Sequence, residues 1–286
     1  MNSALEVMLS KYNPKNNADR ENAIKEIIQE IVLAGLSRGG FFDKAAFYGG
    51  TCLRIFYGLN RFSEDLDFAL LNKDKDFKID DYFPSIQKEL ISYGIEMEIS
   101  SKLGNDNKVI QTAFVKGNSV MLLLHFFPNS DETKNIFRDQ KIKIKFEIDI
   151  DNPSGGTTET RYQLLPAPYE ITIFDESTLF ASKVHAVIYR EFKNRVKGRD
   201  FYDYLFYIAK GTKLNLTYLE NKLKHSNTIE KDAHLTIEMV KDLLAKRFES
   251  VDYESAKADV IPFIQDKNSV ESWSKEMFLS TLLLLK

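Results

Sequence analysis

Tyr48-Gly49-Gly50-Thr51-Cys52-Leu53-Arg54, followed by Arg61-Phe62-Ser63-Glu64-Asp65-Leu66-Asp67-Phe68, reads as strand, glycine turn, short helix, loop and second strand. Lys44 to Tyr48 is apolar and aromatic enough for a strand, and Gly49-Gly50 punctuates it. Thr51 is placed to N-cap a short helix whose apolar face runs from Cys52 to Tyr57. The second strand alternates, so Asp65 and Asp67 share one face while Leu66 and Phe68 share the other. Two carboxylates on one strand face repel unless a cation lies between them. Hard oxygen donors suit Mg²⁺ or Mn²⁺, and Mg²⁺ commonly takes one or two carboxylates plus substrate phosphates. The Gly49-Gly50 turn allows close backbone approach to an anion, and the helix start behind it offers N–H groups to a phosphate. A phosphate turn feeding an acid pair is the equipment of phosphoryl or nucleotidyl transfer; a polar strand beside an ordinary turn is the bland alternative.

Gly49-Gly50-Thr51-x-Leu53-Arg54 and Arg61-x-Ser63-x-Asp65-Leu66-Asp67-Phe68 together resemble the first motif of the AbiEii/AbiGii toxin family, which is similar to the MenT-type toxins and linked to abortive infection. The resemblance implies an α+β fold: a DNA polymerase β-like nucleotidyltransferase core with a mixed sheet, then a C-terminal helical bundle. It implies NTP as substrate, Mg²⁺ or Mn²⁺ as cofactor, and Gly49, Gly50, Thr51, Arg54 and Ser63 as nucleotide-binding residues.

Later segments extend it. Lys141 to Asp151 alternates strictly, with Ile142, Ile144, Phe146, Ile148 and Ile150 on one face and charges on the other. Lys145-Phe146-Glu147-Ile148-Asp149 resembles the second motif, which implies a third acid beside Asp65 and Asp67, as general base or metal ligand. Glu147 and Asp149 share a strand face, so the choice between them stays open, with Asp149 a candidate ligand alongside Asp65 and Asp67. A helix is expected from Glu176 to about Arg195, with Lys183 and Arg190 nearly in line on it. Leu179-Phe180-Ala181-Ser182-Lys183-x-His185-Ala186 resembles the third motif, which implies that Lys183 contacts the triphosphate, with Arg190 assisting. Lys197-Gly198-Arg199-Asp200-x-Tyr202-Asp203 resembles the fourth, which implies an active-site role for Asp200. Acids at a helix start are also explained by the helix dipole, and Asp203 is a candidate for holding the motif together. Lys193, Arg195, Lys197 and Arg199 form the densest basic run, either a solvated helix end or a contact for RNA phosphates.

The 286 residues suffice for a sizeable core, and the expected division is a catalytic domain over 1–165 and a helical domain over 166–286 that contributes Lys183 and Asp200 to the site. The net charge of −3 gives no overall nucleic-acid signature. One cysteine, Cys52, excludes an intrachain disulfide and is expected to be buried. No signal-peptide pattern or spanning run is visible, so the expected location is the cytoplasm, with no membrane partner. His125 falls in what reads as an alternating strand, Ser119 to Phe127, and Leu282 to Leu285 reads as the buried face of a last helix.

The function expected is a Mg²⁺-dependent nucleotidyltransferase toxin that transfers NMP to an acceptor hydroxyl. By the resemblance the acceptor is the 3′ end of tRNA, which stops translation and growth. The same resemblance implies a cognate antitoxin acting on transcription or enzymatically rather than by tight binding. The alternatives are transfer to a protein, including itself, and a binding module with a regulatory nucleotide site.

Overall fold

The structure, a computed structural model, describes residues 3–102, 110–127, 141–191 and 196–286. The chain forms two compact units. The first comprises residues 1–52, 62–152 and 160–173, and the second 53–61, 153–159 and 174–286.

The first unit begins with α1 (Ser3–Leu9) and α2 (Asn17–Arg38), the latter capped by the Asn16 side chain accepting from Asp19 N–H. Ile24, Ile27, Ile28, Ile31 and Val32, spaced i, i+3, i+4, i+7, i+8 along α2, are fully buried. Then come β1 (Ala45–Tyr48), α3 (Gly49–Tyr57), β2 (Asp65–Leu70), α4 (Phe83–Ser92), β3 (Glu98–Lys102), β4 (Ile110–Asn118), α5 (Ser119–Phe126), β5 (Lys141–Asp149), β6 (Thr158–Gln163) and β7 (Tyr169–Phe174). They build one seven-stranded sheet in the order β3-β4-β5-β2-β1-β7-β6. The sheet is mixed: β2 runs antiparallel to β1 but parallel to β5, and β1 runs parallel to β7. A mixed sheet followed by helices is the fold class the sequence led us to expect.

The second unit contains α6 (Glu176–Tyr189), α7 (Gly198–Lys210), α8 (Leu216–His225), α9 (Ile237–Ser250), α10 (Tyr253–Val260) and α11 (Lys275–Thr281). Its core is aromatic: Phe201, Tyr204, Phe248 and Phe278 have ring centroids 5.2 to 6.4 Å apart. The buried Tyr204 hydroxyl is satisfied by Thr281 Oγ1 at 2.9 Å.

Several expectations need correction. Ser119 to Phe126 is helix α5, not a strand, and His125 lies on it. The run is apolar without true alternation, a pattern that cannot by itself separate a strand from a short buried helix, and Asn118 caps it through Met121 N–H. Helix α6 stops at Tyr189, and Arg190, with ψ 127°, lies beyond it rather than in line with Lys183 on it. Lys193 and Arg195 lie outside the described residues. Gly198 is the first residue of α7. A Cβ there would overlap the Ala256 carbonyl of α10, which is why the motif needs glycine. Leu283 and Leu284 are 86% and 57% exposed while Leu285 is buried, so the terminal leucines do not form one continuous buried face.

Candidate active site

The acid face belongs to the first unit and is set by strand register. Pairing β2 with β5 puts Asp65 opposite Lys145, Asp67 opposite Glu147, and Ala69 opposite Asp149. Paired residues on neighbouring strands point to the same side, about 4.8 Å apart at the backbone. Glu147 therefore stands beside Asp67, and Asp149 stands one pair further along. Lys145 Nζ is 2.7 Å from Glu147 Oε1, and Asp149 accepts from the Asp151 N–H at 3.0 Å. Asp65 is exposed, and Asp67, Glu147 and Asp149 are half-buried. Beneath this face Leu66, Phe68, Phe146 and Ile148 are fully buried and anchor both strands.

The glycine turn is fitted to the acids. Gly49 has φ 82°, a left-handed conformation that favours glycine, and a Cβ on it would collide with the Asp67 carboxylate. Helix α3 already starts at Gly49, so Thr51 sits inside its first turn rather than capping it. The Thr51 side chain is fully buried, and its hydroxyl donates to the Asp65 carbonyl at 2.5 Å.

Among the described residues, no three carboxylate, imidazole or thiolate groups converge closely enough to cage a metal. That does not oppose Mg²⁺, which keeps waters and substrate oxygens and is held by one or two carboxylates rather than a protein cage. The hard, solvent-facing donor set of Asp65 and Asp67, with Glu147 alongside, fits such an ion.

The second unit holds a different constellation. Arg61 grips Asp203 with two bonds, Nε to Oδ1 at 2.6 Å and Nη2 to Oδ2 at 2.7 Å. Lys183 Nζ lies 2.9 Å from Asp203 Oδ2 and 2.7 Å from Asp200 Oδ1, and Arg190 Nη1 lies 2.7 Å from Asp200 Oδ2. Three cations thus meet two carboxylates. The Arg61 and Asp203 side chains are 3% and 0% exposed, whereas Arg190 is 46% exposed. Burial alone would raise the pKa values of Asp200 and Asp203; the adjacent cations outweigh it and hold both below the usual carboxylate range. Burial would likewise lower Lys183 and Arg61, but the carboxylates win and raise both. Arg61, Lys183, Asp200 and Asp203 therefore all favour their charged forms.

A sequence model of the family described as nucleotidyl transferase AbiEii toxin, type IV toxin–antitoxin system, matches residues 31–280. The chain belongs to the AbiEii family. It is a nucleotidyltransferase of that toxin family. Among solved structures it is similar to MenT4, a nucleotidyltransferase toxin from Mycobacterium tuberculosis H37Rv, at 13% identity and a TM-score of 0.57 over 99% of this chain and 90% of that one. It also matches a putative nucleotidyltransferase from Helicobacter pylori at 16% identity and a TM-score of 0.46, over 90% of this chain and 89% of that one. No curated protein matches.

Within this AbiEii chain the structure brings Asp65, Asp67 and Glu147 to one sheet face, with Gly49 against Asp67. It brings Lys183, Arg190 and Asp200 into one ion network. Arg54 donates to the Leu59 carbonyl at 3.0 Å, and Ser63 is half-buried just ahead of β2. His185 stacks on Tyr189 and bonds Ser226; burial pushes it down to about 3, so it is neutral. Sequence reasoning did not single out Arg61. Its only signal was its place at the head of the Arg61-x-Ser63-x-Asp65 string, and its partner Asp203 lies 142 positions away. Cys52 is fully buried, as expected. Among the described residues no helix is long and apolar enough to cross a membrane.

Proposed function

We propose that this AbiEii-family protein transfers a nucleotidyl group from an NTP to the 3′ end of tRNA, with Asp65, Asp67 and Glu147 as the reacting acids. The observation that carries this reading is the β2–β5 register, with Glu147 directly opposite Asp67 and Asp149 facing Ala69. Asp65 and Asp67 hold Mg²⁺ or Mn²⁺, which when bound supplies positive charge to the phosphates. Glu147 accepts the proton of the acceptor hydroxyl as its oxygen bonds the α-phosphorus and pyrophosphate departs with the bridging oxygen. The backbone N–H groups at Gly49 and Gly50 receive phosphate oxygens, because they open α3 without side chains in the way. Lys183 and Arg190 are assigned to the triphosphate charge. Their bonds to Asp200 fix where both cations point, so Asp200 acts by orienting them. Such a reaction belongs to the cytoplasm, stops translation there, and calls for a cognate antitoxin acting on transcription or enzymatically rather than by tight binding.

The test is incubation of purified protein with each α-labelled NTP and total tRNA, with and without Mg²⁺. Label on tRNA, lost in Asp67→Asn and after chelation, is the expected result. Label appearing on protein and never on RNA would overturn the choice of acceptor; no label on anything would overturn the transferase site.

A further inference from the structure

Gln29 is a fully buried polar side chain in the middle of α2, and none of the roles above uses it. Its Nε2 donates to the Ser63 carbonyl at 3.0 Å and to the Glu64 carbonyl at 2.9 Å. Both partners can only accept, which fixes the amide with its nitrogen toward the loop. Oε1 is left buried with no hydrogen-bond partner. An orphaned buried acceptor is unfavourable, and an apolar side chain of the same volume would avoid it, so packing alone does not account for glutamine here.

The contacts explain it better. One NH₂ group reaches two successive carbonyls only where the chain is bent, because an extended chain turns successive carbonyls to opposite sides. Ser63 and Glu64 accordingly precede β2, which begins at Asp65. Lys25, one helical turn before Gln29, reaches the Glu64 carboxylate at 3.3 Å. The next carbonyl, that of Asp65, takes the buried Thr51 hydroxyl. Three successive carbonyls, 63, 64 and 65, are therefore each held by a buried side chain.

We propose that Gln29 is a positioning residue for the acid pair: it fixes the bend from which the chain enters β2, and so sets where Asp65 and Asp67 present their carboxylates. Gln29 precedes the span 31–280 that the family model matches. The inference rests on reading Asp65 and Asp67 as the metal-holding acids.

The experiment is a Mn²⁺ titration followed by electron paramagnetic resonance, with a non-hydrolysable NTP present, on the full chain. Wild type is compared with Asp67→Asn, Gln29→Met, Thr51→Val and Glu30→Gln. Gln29→Met keeps the volume and removes the donor; it is expected to weaken Mn²⁺ binding on the order of tenfold, the usual scale for partners that orient ligands. Thr51→Val is expected to move binding in the same direction. Glu30→Gln, at the adjacent buried position of α2, is expected to match wild type. Should Gln29→Met not fold, Gln29→Asn, with its donor on a shorter arm, replaces it and is expected to weaken binding too. If Asp67→Asn binds Mn²⁺ as wild type does, the acid-pair reading falls and the inference with it. If Asp67→Asn loses Mn²⁺ while the Gln29 and Thr51 variants bind normally, the inference alone is overturned.

Discussion

Carboxylates gather in two regions of this chain under opposite conditions. On the β2–β5 face, Asp65, Asp67, Glu147 and Asp149 are exposed or half-buried, and the register lines them up on one side of the sheet. In the second unit, Asp200 and Asp203 are almost wholly buried and share three cations. The first region is rich in negative charge at a wet surface, which is what a divalent ion requires. The second carries its own countercharge, with one cation in excess, and holds lysine and arginine in fixed directions. An aspartate in the two regions therefore answers to different tests.

The largest contrast is between activity and stability. Asp67→Asn is expected to lower nucleotide transfer by roughly 10³-fold or more, the scale of losing electrostatic stabilisation at a reacting phosphate, with little change in the unfolding midpoint. Asp203→Asn should behave in reverse. It leaves Arg61 buried without its carboxylate and Lys183 with Asp200 alone, at a cost of about 3–5 kcal/mol in urea unfolding. If Asp203→Asn left stability intact, the network would not be the structural element described here. Its pH dependence has a definite sign. Asp200 and Asp203 have folded pKa values below the ordinary one, so their contribution is fully present above pH ~4 and is lost as pH falls through the lower folded values.

Within the acid face, Glu147→Gln and Asp149→Asn separate the two candidates for the third acid. Glu147→Gln is expected to reduce kcat about 10²-fold, the range for a lost general base, while Asp149→Asn changes it by less than about fivefold. Equal losses would erase the distinction that the register draws.

A last contrast concerns a buried carboxyl that has, among the described residues, no cation in hydrogen-bond contact. Glu30 is 5% exposed, bonds Gln163 at 3.2 Å, and lies close enough to the buried Tyr169 hydroxyl to raise it; burial pushes Glu30 up to about 7. Its sign is opposite to that of Asp203. The stability tied to neutral Glu30 is complete below the unfolded value near 4.5 and is lost as pH rises through about 7. Glu30→Gln, neutral throughout, should match wild type near pH 4.5 and exceed it at pH 8 by at most about 3 kcal/mol in denaturant titrations.

Much of this was legible along the chain. The alternation in Asp65 to Phe68 and in Lys141 to Ile150 identified both strands of the acid face, because side-chain direction in a strand follows from position alone. The α2 stripe was readable for the same reason at helical period. The string Lys197-Gly198-Arg199-Asp200 marked the start of α7 and a member of its ion network, though the reason for its glycine, the Ala256 carbonyl, was not visible. Strand β6, Thr-Glu-Thr-Arg-Tyr-Gln, has no apolar face to announce it, and α5 was too short and uniformly apolar for its period to be read.

The sequence by itself determined that Asp65 and Asp67 share a face, that Glu147 and Asp149 share another, and that a glycine turn precedes them. Periodicity is a local property and needs no partner. Only the tertiary structure decided that Glu147, not Asp149, stands opposite Asp67, because register is a relation between strands some 80 positions apart. Only it joined Arg61 to Asp203 and seated Gln29 under the approach to β2. Those bonds link distant segments, and no local pattern in the chain encodes them.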